Sequence, residues 1–452
     1  MTAAAFTIVG AGPVGALMGL LLARHGRRVR LFERRGDPRQ APPERGRSIN
    51  LALSARGIAA LQRADILARI ESSMIAMPGR MLHDEQQRQQ FVPYGRNERE
   101  INHAVSRERL NRLIVEAAAE HPLIELHFDQ RCVDFDPDAG VLWLRDENSA
   151  SLRSERIEIL LAADGAGSAV RQALQQRGFT RVNEVALDHD YKELVIAPDR
   201  SQFAFEPKAL HVWPRGGFML IALPNTDCSF TATLFLPRHG PNGFDSLADS
   251  TAIRRFFERQ FADAAARMPD LVQQFASHPQ SQLGTLYCDH WHVGARALLI
   301  GDAAHAIVPF HGQGLNCGFE DCVILDRMLG THNDVERVFA AFERGRQADT
   351  AAIAQMALEN YLEMRDGVRS PQFAQRKALA AELERYFPER FIPRYSMVTF
   401  HPEIAYAEAQ RRGVLQERVL DVLSALPGAG SSGELSADAL ERARQSLDDA
   451  GL

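Results

Sequence analysis

Hydrophobic positions along the chain change period several times, and each change predicts an element. Phe6, Ile8 and Val9 are strand formers that run into Gly10-Ala11-Gly12-Pro13-Val14-Gly15. An apolar helix then extends to Arg24, and Val29 to Phe32 make a second strand ending at Glu33. Ser106 to Ile114 reads as a capped amphipathic helix, although Arg109 stands where a capping box needs an acid or amide. Ile157 to Ala163 predicts a buried strand that ends in Asp164-Gly165-Ala166-Gly167, followed by a helix through Val170. Between Phe203 and Phe235 the stretches His211–Trp213, Phe218–Leu223 and Phe230–Phe235 alternate, which predicts an antiparallel sheet rather than further βαβ units. Ala297 to Ile300 is again a strand, leading into Gly301-Asp302-Ala303-Ala304-His305, a loop to Gly314 and a long helix from Leu315. Beyond Ala340 the pattern is mostly helical, and no internal repeat is present.

This order predicts an α/β protein: a Rossmann-like domain with an inserted antiparallel-sheet domain and a C-terminal helical region. At roughly 150 residues per domain, a chain of 452 residues has room for about three such units. A formal charge of -6 gives no global field for gripping phosphodiester, so a dedicated nucleic-acid binder is excluded. Three of the 52 basic residues are lysines (Lys192, Lys208, Lys377), which leaves 49 arginines whose uses must be local. Nine of these lie between Arg24 and Arg47 against Glu33, Asp37 and Glu44, which reads equally as a solvated basic face or as a field attracting nucleotide phosphates. Five scattered cysteines with no CxxC pair read as reduced thiols of a cytoplasmic protein. Ala3 to Ala23 is apolar but broken by five Gly and Pro residues, and the tail from Glu417 is charged, so no membrane association is expected.

The first glycine turn carries the strongest signal. Strand, Gly10, Gly12 and Gly15, helix, strand and Glu33 together form a dinucleotide unit: the backbone approaches a pyrophosphate, helix amides face it, and the acid reaches ribose hydroxyls. A second GxGxxG, at Gly428, Gly430 and Gly433, follows Leu426-Pro427 instead of a strand and reads as a linker. Three glycine turns that each end a strand, spread over some 300 residues, exceed what one nicotinamide needs and point to the stretched cofactor FAD. With a single nucleotide-binding βαβ unit, a nicotinamide dinucleotide, if used, has no Rossmann domain of its own.

The succession of GxGxxG, Asp164-Gly165 and Gly301-Asp302 resembles the flavoprotein aromatic hydroxylases of the para-hydroxybenzoate hydroxylase type. Within them, Gly46-Arg47-Ser48-Ile49-Asn50-Leu51-Ala52-Leu53-Ser54, Pro93-Tyr94-Gly95, Tyr191-Lys192-Glu193-Leu194, Leu210 to Pro214, Gly301 to Cys322, Asn360 to Met364 and Phe391 to Phe400 resemble the kynurenine 3-monooxygenase family, over about residues 5 to 412. The resemblance implies hydroxylation of L-kynurenine to 3-hydroxy-L-kynurenine in tryptophan degradation, with NADPH and O2, through a flavin C4a-hydroperoxide; the alternative is a hydroxylase of another carboxylate-bearing aromatic. It implies substrate contacts at Arg80, Tyr94, Asn360 and Tyr395, where an arginine fork and a tyrosine hydroxyl suit a carboxylate. The implied cofactor set is Gly10, Gly12, Gly15, Glu33, Arg34, Ala52, Arg107, Arg109, Cys132, Asp164, Asp302, Leu315 and Asn316. Of these, Arg107 or Arg109 would reach the polar chain, and the backbone of Leu315 and Asn316 the pyrimidine edge of the flavin.

Because the aniline nitrogen of kynurenine already pushes electrons to the ortho carbon, no essential general base is expected. His311 is the one place for a proton relay, and packing is the preferred reading for it. No metal site is expected: Cys288-Asp289-His290-Trp291-His292 has no partner pair at ligand spacing. Ser54 and Ser168 lack a nucleophile-elbow context. The domain division expected is 1–75, 100–178 and 285–345 for the FAD-binding domain, 76–99 and 179–284 for the substrate domain, and 346–452 for helices completing the active site. Ala169 stands where relatives commonly carry a hydroxyl, the membrane segment of animal family members is absent, and 413–452 matches nothing. The sequence leaves a homodimer open.

Overall fold

Three of the predicted strands end side by side. In the computed structural model, which describes residues 5–40, 50–95, 98–366, 371–425 and 435–452, Phe6–Val9 pairs in parallel with Val29–Phe32 and with Ile159–Ala162. Ile159–Ala162 pairs in parallel with Ala297–Leu299, and the register sets Val9 opposite Ala162 and Ala162 opposite Leu299. All three glycine motifs therefore leave one sheet at one edge, beyond the carboxyl ends of the strands, where open α/β sheets bind ligands. His292–Val293 and Ile124–His127 complete the six strands. Apolar residues occupy every position of Phe6–Val9 and Ile159–Ala162 except the buried Thr7, because this sheet is buried in a core that it shares with helices such as Pro13–Arg24 and with the three-stranded sheet of Gln130–Asp136, Val141–Asp146 and Leu152–Arg156.

The inserted domain is a seven-stranded sheet in the order Gln280–Cys288, Val182–Ile196, Phe230–Pro237, Met219–Pro224, Leu210–Pro214, Gly79–His83, Gln89–Pro93. Its pairs are antiparallel, as the alternation predicts, with one exception: Leu210–Pro214 runs parallel to Gly79–His83. The two join from distant stretches of chain, so no hairpin dictates their direction. Alternation divides the residues between two faces. Trp213, Leu220, Leu234 and Leu236 pack on Phe256, Phe257 and Phe261, whereas Met219, Ile221 and Phe235 turn toward Phe310 and Tyr361.

A small sheet of Asn50–Leu53, Asn102–Ser106 and Met74–Met77 joins the two domains. Asn50 Nδ2 donates to Pro224 O at 2.7 Å and to Asn225 Oδ1 at 3.0 Å. The Ser106 hydroxyl accepts from Arg109 N, so the helix Arg107–Glu120 is capped without the capping box. The C-terminal part is helical, with Val335–Arg365, Pro371–Tyr386, Arg394–Phe400, Tyr406–Ser424 and Ala437–Ala450. Among the described residues no helix is long and apolar enough to cross a membrane, and all five cysteines are free. The linker pattern at 428–433 and residues 46–49 lie outside the described residues.

Candidate active site

The glycine motifs pack on one another as well as sharing an edge. A Cβ on Gly10, whose φ is +100°, would sit 2.4 Å from Ala163 O, and one on Gly318 would sit 2.8 Å from Val14 Cγ2 and 3.5 Å from Gly301 Cα. Arg171, buried behind the second motif, donates to Ala166 O and to Ala303 O at 3.0 Å, tying the second motif to the third. In front of this junction a cavity of about 460 Å³ opens, bounded by Gly12, Pro13, Val14, Gly165, Ala166, Arg107, Asp302, Gly314, Leu315 and the inner face of the large sheet.

The near half of this cavity fits FAD. Gly12 and Gly165 have nothing within 4 Å of an added Cβ, so bare backbone meets the cavity at both turns. Two helix N-termini, those of Pro13–Arg24 and Gly314–Thr331, point into it without side-chain caps, leaving amides for the pyrophosphate and for the negative edge of a reduced flavin. Glu33 accepts from Ala11 N at 2.9 Å and from Arg35 N at 3.0 Å, which fixes its carboxylate beside the first turn.

The expected cofactor residues divide between those that meet the cavity and those that support it. Gly12, Ala52, Arg107, Asp302 and Leu315 line it; Gly10 and Gly15 stand behind the turn. Arg109 does not line it: its Nε donates to Ser73 Oγ at 3.4 Å, so of the two arginines Arg107 is the one that faces the cavity. Arg34 is exposed next to Glu33. Cys132 is buried outside the cavity lining, with its thiol pushed up by burial and by the nearby Asp164 and Asp134 charges. Asp164 turns its Oδ2 to Ala169 N and Val170 N, while its Oδ1 is buried without a partner; burial raises its pKa. Asn316 is fully buried and uses its side chain to accept from Ser54 N and donate to Ala52 O and Gly312 O, holding the small sheet against the loop that precedes its helix.

Among the described residues that line the far half of the cavity, Arg80 is the cation, and aromatic rings wall it. Arg80 projects from Gly79–His83, Tyr94 follows Gln89–Pro93, and Tyr395 stands in the first turn of Arg394–Phe400. Tyr395 lies between His311, 5.0 Å away at 15°, and Tyr94, 5.4 Å away at 12°, forming a three-ring stack. The Arg80 guanidinium is 4.7 Å from the Tyr395 ring and 5.4 Å from the Tyr94 ring. Burial opposes its charge, but Tyr395, Tyr94 and Glu363 more than offset this and raise its pKa. Its Nε is buried without a hydrogen-bond partner, an orphaned donor at a cavity wall. Burial pushes His311 down to about 3, with the charges of Arg80, Arg394 and Arg56 acting in the same direction, so its imidazole is neutral.

Asn360 is placed differently from the other three residues expected to contact substrate. It is buried, does not line the cavity, and donates to Phe310 O at 2.7 Å, which sets the loop before His311. Asn102, which no motif announces, donates to the Tyr395 hydroxyl at 3.2 Å and lines the cavity.

Two clusters resemble metal sites by composition. At the first, Glu343 accepts from Trp291 N, His292 N and His292 Nδ1, so the Cys288–His292 stretch is fastened to a helix. At the second, His305, Cys317 and Asp321 converge, but Asp321 is already shared by Gly301 N, His305 Nε2 and Arg346 Nε. The Arg346 guanidinium, 3.2 Å from Cys317 Sγ, would repel a metal cation there.

Relatives place this geometry in a family. An FAD binding domain family matches residues 3–356. A kynurenine 3-monooxygenase of Stenotrophomonas maltophilia (strain K279a) is 46% identical over 436 residues, covering 96% of this chain and 95% of the relative. The chain belongs to the kynurenine 3-monooxygenase family. A second member, from Myxococcus xanthus (strain DK1622), is 45% identical and covers 92% of this chain and 90% of its own length. Among solved structures, a tetrameric 2-methyl-3-hydroxypyridine-5-carboxylic acid oxygenase shares the fold at TM-score 0.66 and 17% identity, covering 87% of this chain and 99% of that one. PqsL of P. aeruginosa does so at TM-score 0.65 and 20% identity, covering 80% and 97%. Within the kynurenine 3-monooxygenase family, this chain therefore pairs an FAD-binding half with a cavity wall that carries Arg80.

Proposed function

We propose that the protein hydroxylates L-kynurenine to 3-hydroxy-L-kynurenine with FAD, NADPH and O2, in the cytosol, as a step of tryptophan degradation. The observation that carries this reading is the buried Arg80 set against the His311–Tyr395–Tyr94 stack, in the same cavity as the glycine motifs. Bound FAD would take electrons from NADPH and deliver them to O2, supplying the oxygen atom that enters the ring. Gly12, Arg107, Asp302 and Leu315 would hold it, with Glu33 beside the ribose.

Arg80 would take the amino-acid carboxylate through its fork, giving the orphaned Nε a partner, with the Tyr94 and Tyr395 hydroxyls at the same pole. Leu210, Met219, Ile221, Leu223 and Phe235 would surround the aniline ring and exclude water. The aniline nitrogen activates the ortho carbon, so no deprotonation is required of the protein. A group at about 3 is a weak base at neutral pH, which fits His311 as a wall and spacer for Tyr395. The test is to mix purified yellow protein with NADPH and L-kynurenine and follow NADPH loss together with 3-hydroxykynurenine. Equal amounts of the two are expected. NADPH oxidation that kynurenine does not stimulate would remove the reading.

A further inference from the structure

The helix that carries Tyr395, Arg394–Phe400, is seven residues long, too short to hold its own orientation in water. Its carbonyl end is gripped from a distant part of the chain. Arg56, only 2% exposed on the helix Ala55–Arg63, donates from Nε to Val398 O at 2.9 Å. Its Nη2 reaches the carbonyls of Met397, His401 and Ile404, and its Nη1 pairs with Glu320 on the flavin-facing helix. The guanidinium also lies 4.0 Å from the centre of the Tyr406 ring, and the Tyr406 hydroxyl donates to Gln313 Oε1 at 2.9 Å, one residue before Gly314.

One side chain thus fixes both partners of the His311–Tyr395 stack. Tyr395 is held through the carbonyls at the far end of its helix, and the loop bearing His311 is held through Tyr406 and Gln313. Arg56 itself is absent from the cavity lining. A planar fork spreads five N–H donors over three nitrogens that face different carbonyls and a carboxylate, whereas a lysine has three donors on one atom.

We infer that Arg56 is a positioning residue for substrate binding: it sets where Tyr395 stands against His311 and Arg80, and so shapes the carboxylate pole without touching it. This rests on the kynurenine reading above. If Arg56 only glued the C-terminal helices to the rest, its loss would weaken FAD and kynurenine binding together and act independently of Tyr395. If it positions Tyr395, its loss falls on kynurenine alone and overlaps with the loss of the Tyr395 hydroxyl.

The experiment titrates L-kynurenine into the FAD-loaded enzyme by the change in flavin absorbance, with FAD affinity measured separately, for wild type, Arg56→Met, Arg56→Lys, Tyr395→Phe, the Arg56→Met/Tyr395→Phe pair and Tyr406→Phe. For Arg56→Met we expect kynurenine affinity to fall about tenfold or more with FAD affinity within about twofold, since small misplacements of a positioning contact carry that order of loss. Arg56→Lys should recover part of it, and the double variant should fall well short of the product of the single effects. Should Arg56→Met not fold, Tyr406→Phe, which deletes one hydroxyl, carries the test through an expected loss of about threefold, the scale of one neutral hydrogen bond. Unchanged kynurenine affinity, FAD lost in parallel, or strictly multiplicative effects with Tyr395→Phe would overturn the assignment. Wild type that fails to bind kynurenine would instead overturn the proposed function.

Discussion

Replacing Arg80 by Met separates binding from folding at one position. In the complex the guanidinium would pair with a carboxylate in a site closed from water. Truncating one partner of such a pair costs about 2–5 kcal/mol, which at about 1.4 kcal/mol per decade is roughly a 30- to 4,000-fold loss of kynurenine affinity. Folding should respond far less, because two contributions oppose. Arg80 is 8% exposed with an orphaned Nε, and removing such a group recovers about 1–3 kcal/mol of desolvation. Its cation–π contacts with Tyr94 and Tyr395 supply about 1–2 kcal/mol, which Met forfeits in part. The two nearly cancel, so the thermal midpoint of the FAD-loaded protein should stay within about 2 °C in a chain of this size. The assays are a kynurenine titration by flavin absorbance and a thermal melt followed by flavin fluorescence. Arg80→Lys keeps the charge but not the fork and should fall between. The reasoning is refuted if affinity changes less than about fivefold at full flavin content, or if the midpoint drops by many degrees, which would make Arg80 a structural cation.

Three further outcomes follow from the same geometry. His311→Phe should keep the ratio of 3-hydroxykynurenine formed to NADPH consumed near that of wild type; near-complete loss of product at normal flavin content would restore a proton relay. His311 also predicts a pH dependence of stability. Its folded pKa of about 3 lies below the unfolded value near 6.5, so its contribution is full above pH 6.5 and is lost as pH falls, by about 2 kcal/mol between pH 6.5 and 5. Urea midpoints across that range should fall less steeply in His311→Phe than in wild type, and parallel slopes would contradict the burial argument. Gly10→Ala places a Cβ 2.4 Å from Ala163 O at φ +100°, costing about 3 kcal/mol or more, and should abolish retention of FAD on gel filtration. A variant that stays yellow would show that this turn gives way.

The sequence speaks clearly where the determinants are contiguous. The first βαβ unit, the three glycine turns and the alternation of the inserted sheet each depend on neighbours within a few residues, and each is found where the pattern puts it. Pairing across the chain is another matter. Nothing local says that Gly79–His83 joins the large sheet in parallel beside Leu210–Pro214. The site shows the same division. Arg107 and Arg109 are indistinguishable as sequence, and only the start of their helix decides which one faces the cavity. Asn360 belongs to a recognisable segment, yet its amide is spent on Phe310 O. Asn102 and Arg56 stand in no motif at all, because each acts through contacts with residues about 300 positions away.

That blindness is greatest for arginine, and it bears on the near-absence of lysine. Several buried arginines serve backbone carbonyls at joins between distant segments: Arg56 at the Tyr395 helix, Arg171 between two glycine motifs, and Arg215 at the edge of the large sheet. Arg215, 7% exposed, donates to Gln260 O at 2.6 Å, His83 O and Pro214 O at 2.9 Å and Asp84 O at 3.3 Å, and lies over Phe261. Its fork, with N–H groups on three nitrogens, reaches all four acceptors around its rim. A lysine ammonium at the same place is a point with three donors and cannot span them, so one or two carbonyls stay unmet at about 1–3 kcal/mol each. Arg215→Lys should therefore lower stability by about 2–4 kcal/mol in urea, with the slope of the transition unchanged. Arg69→Lys, whose guanidinium pairs with the exposed Glu120 carboxylate, should leave the midpoint where it is. Equal, small losses at both positions would mean that the 49 arginines reflect composition alone. A loss confined to Arg215 would mean that the fork geometry itself holds these joins together.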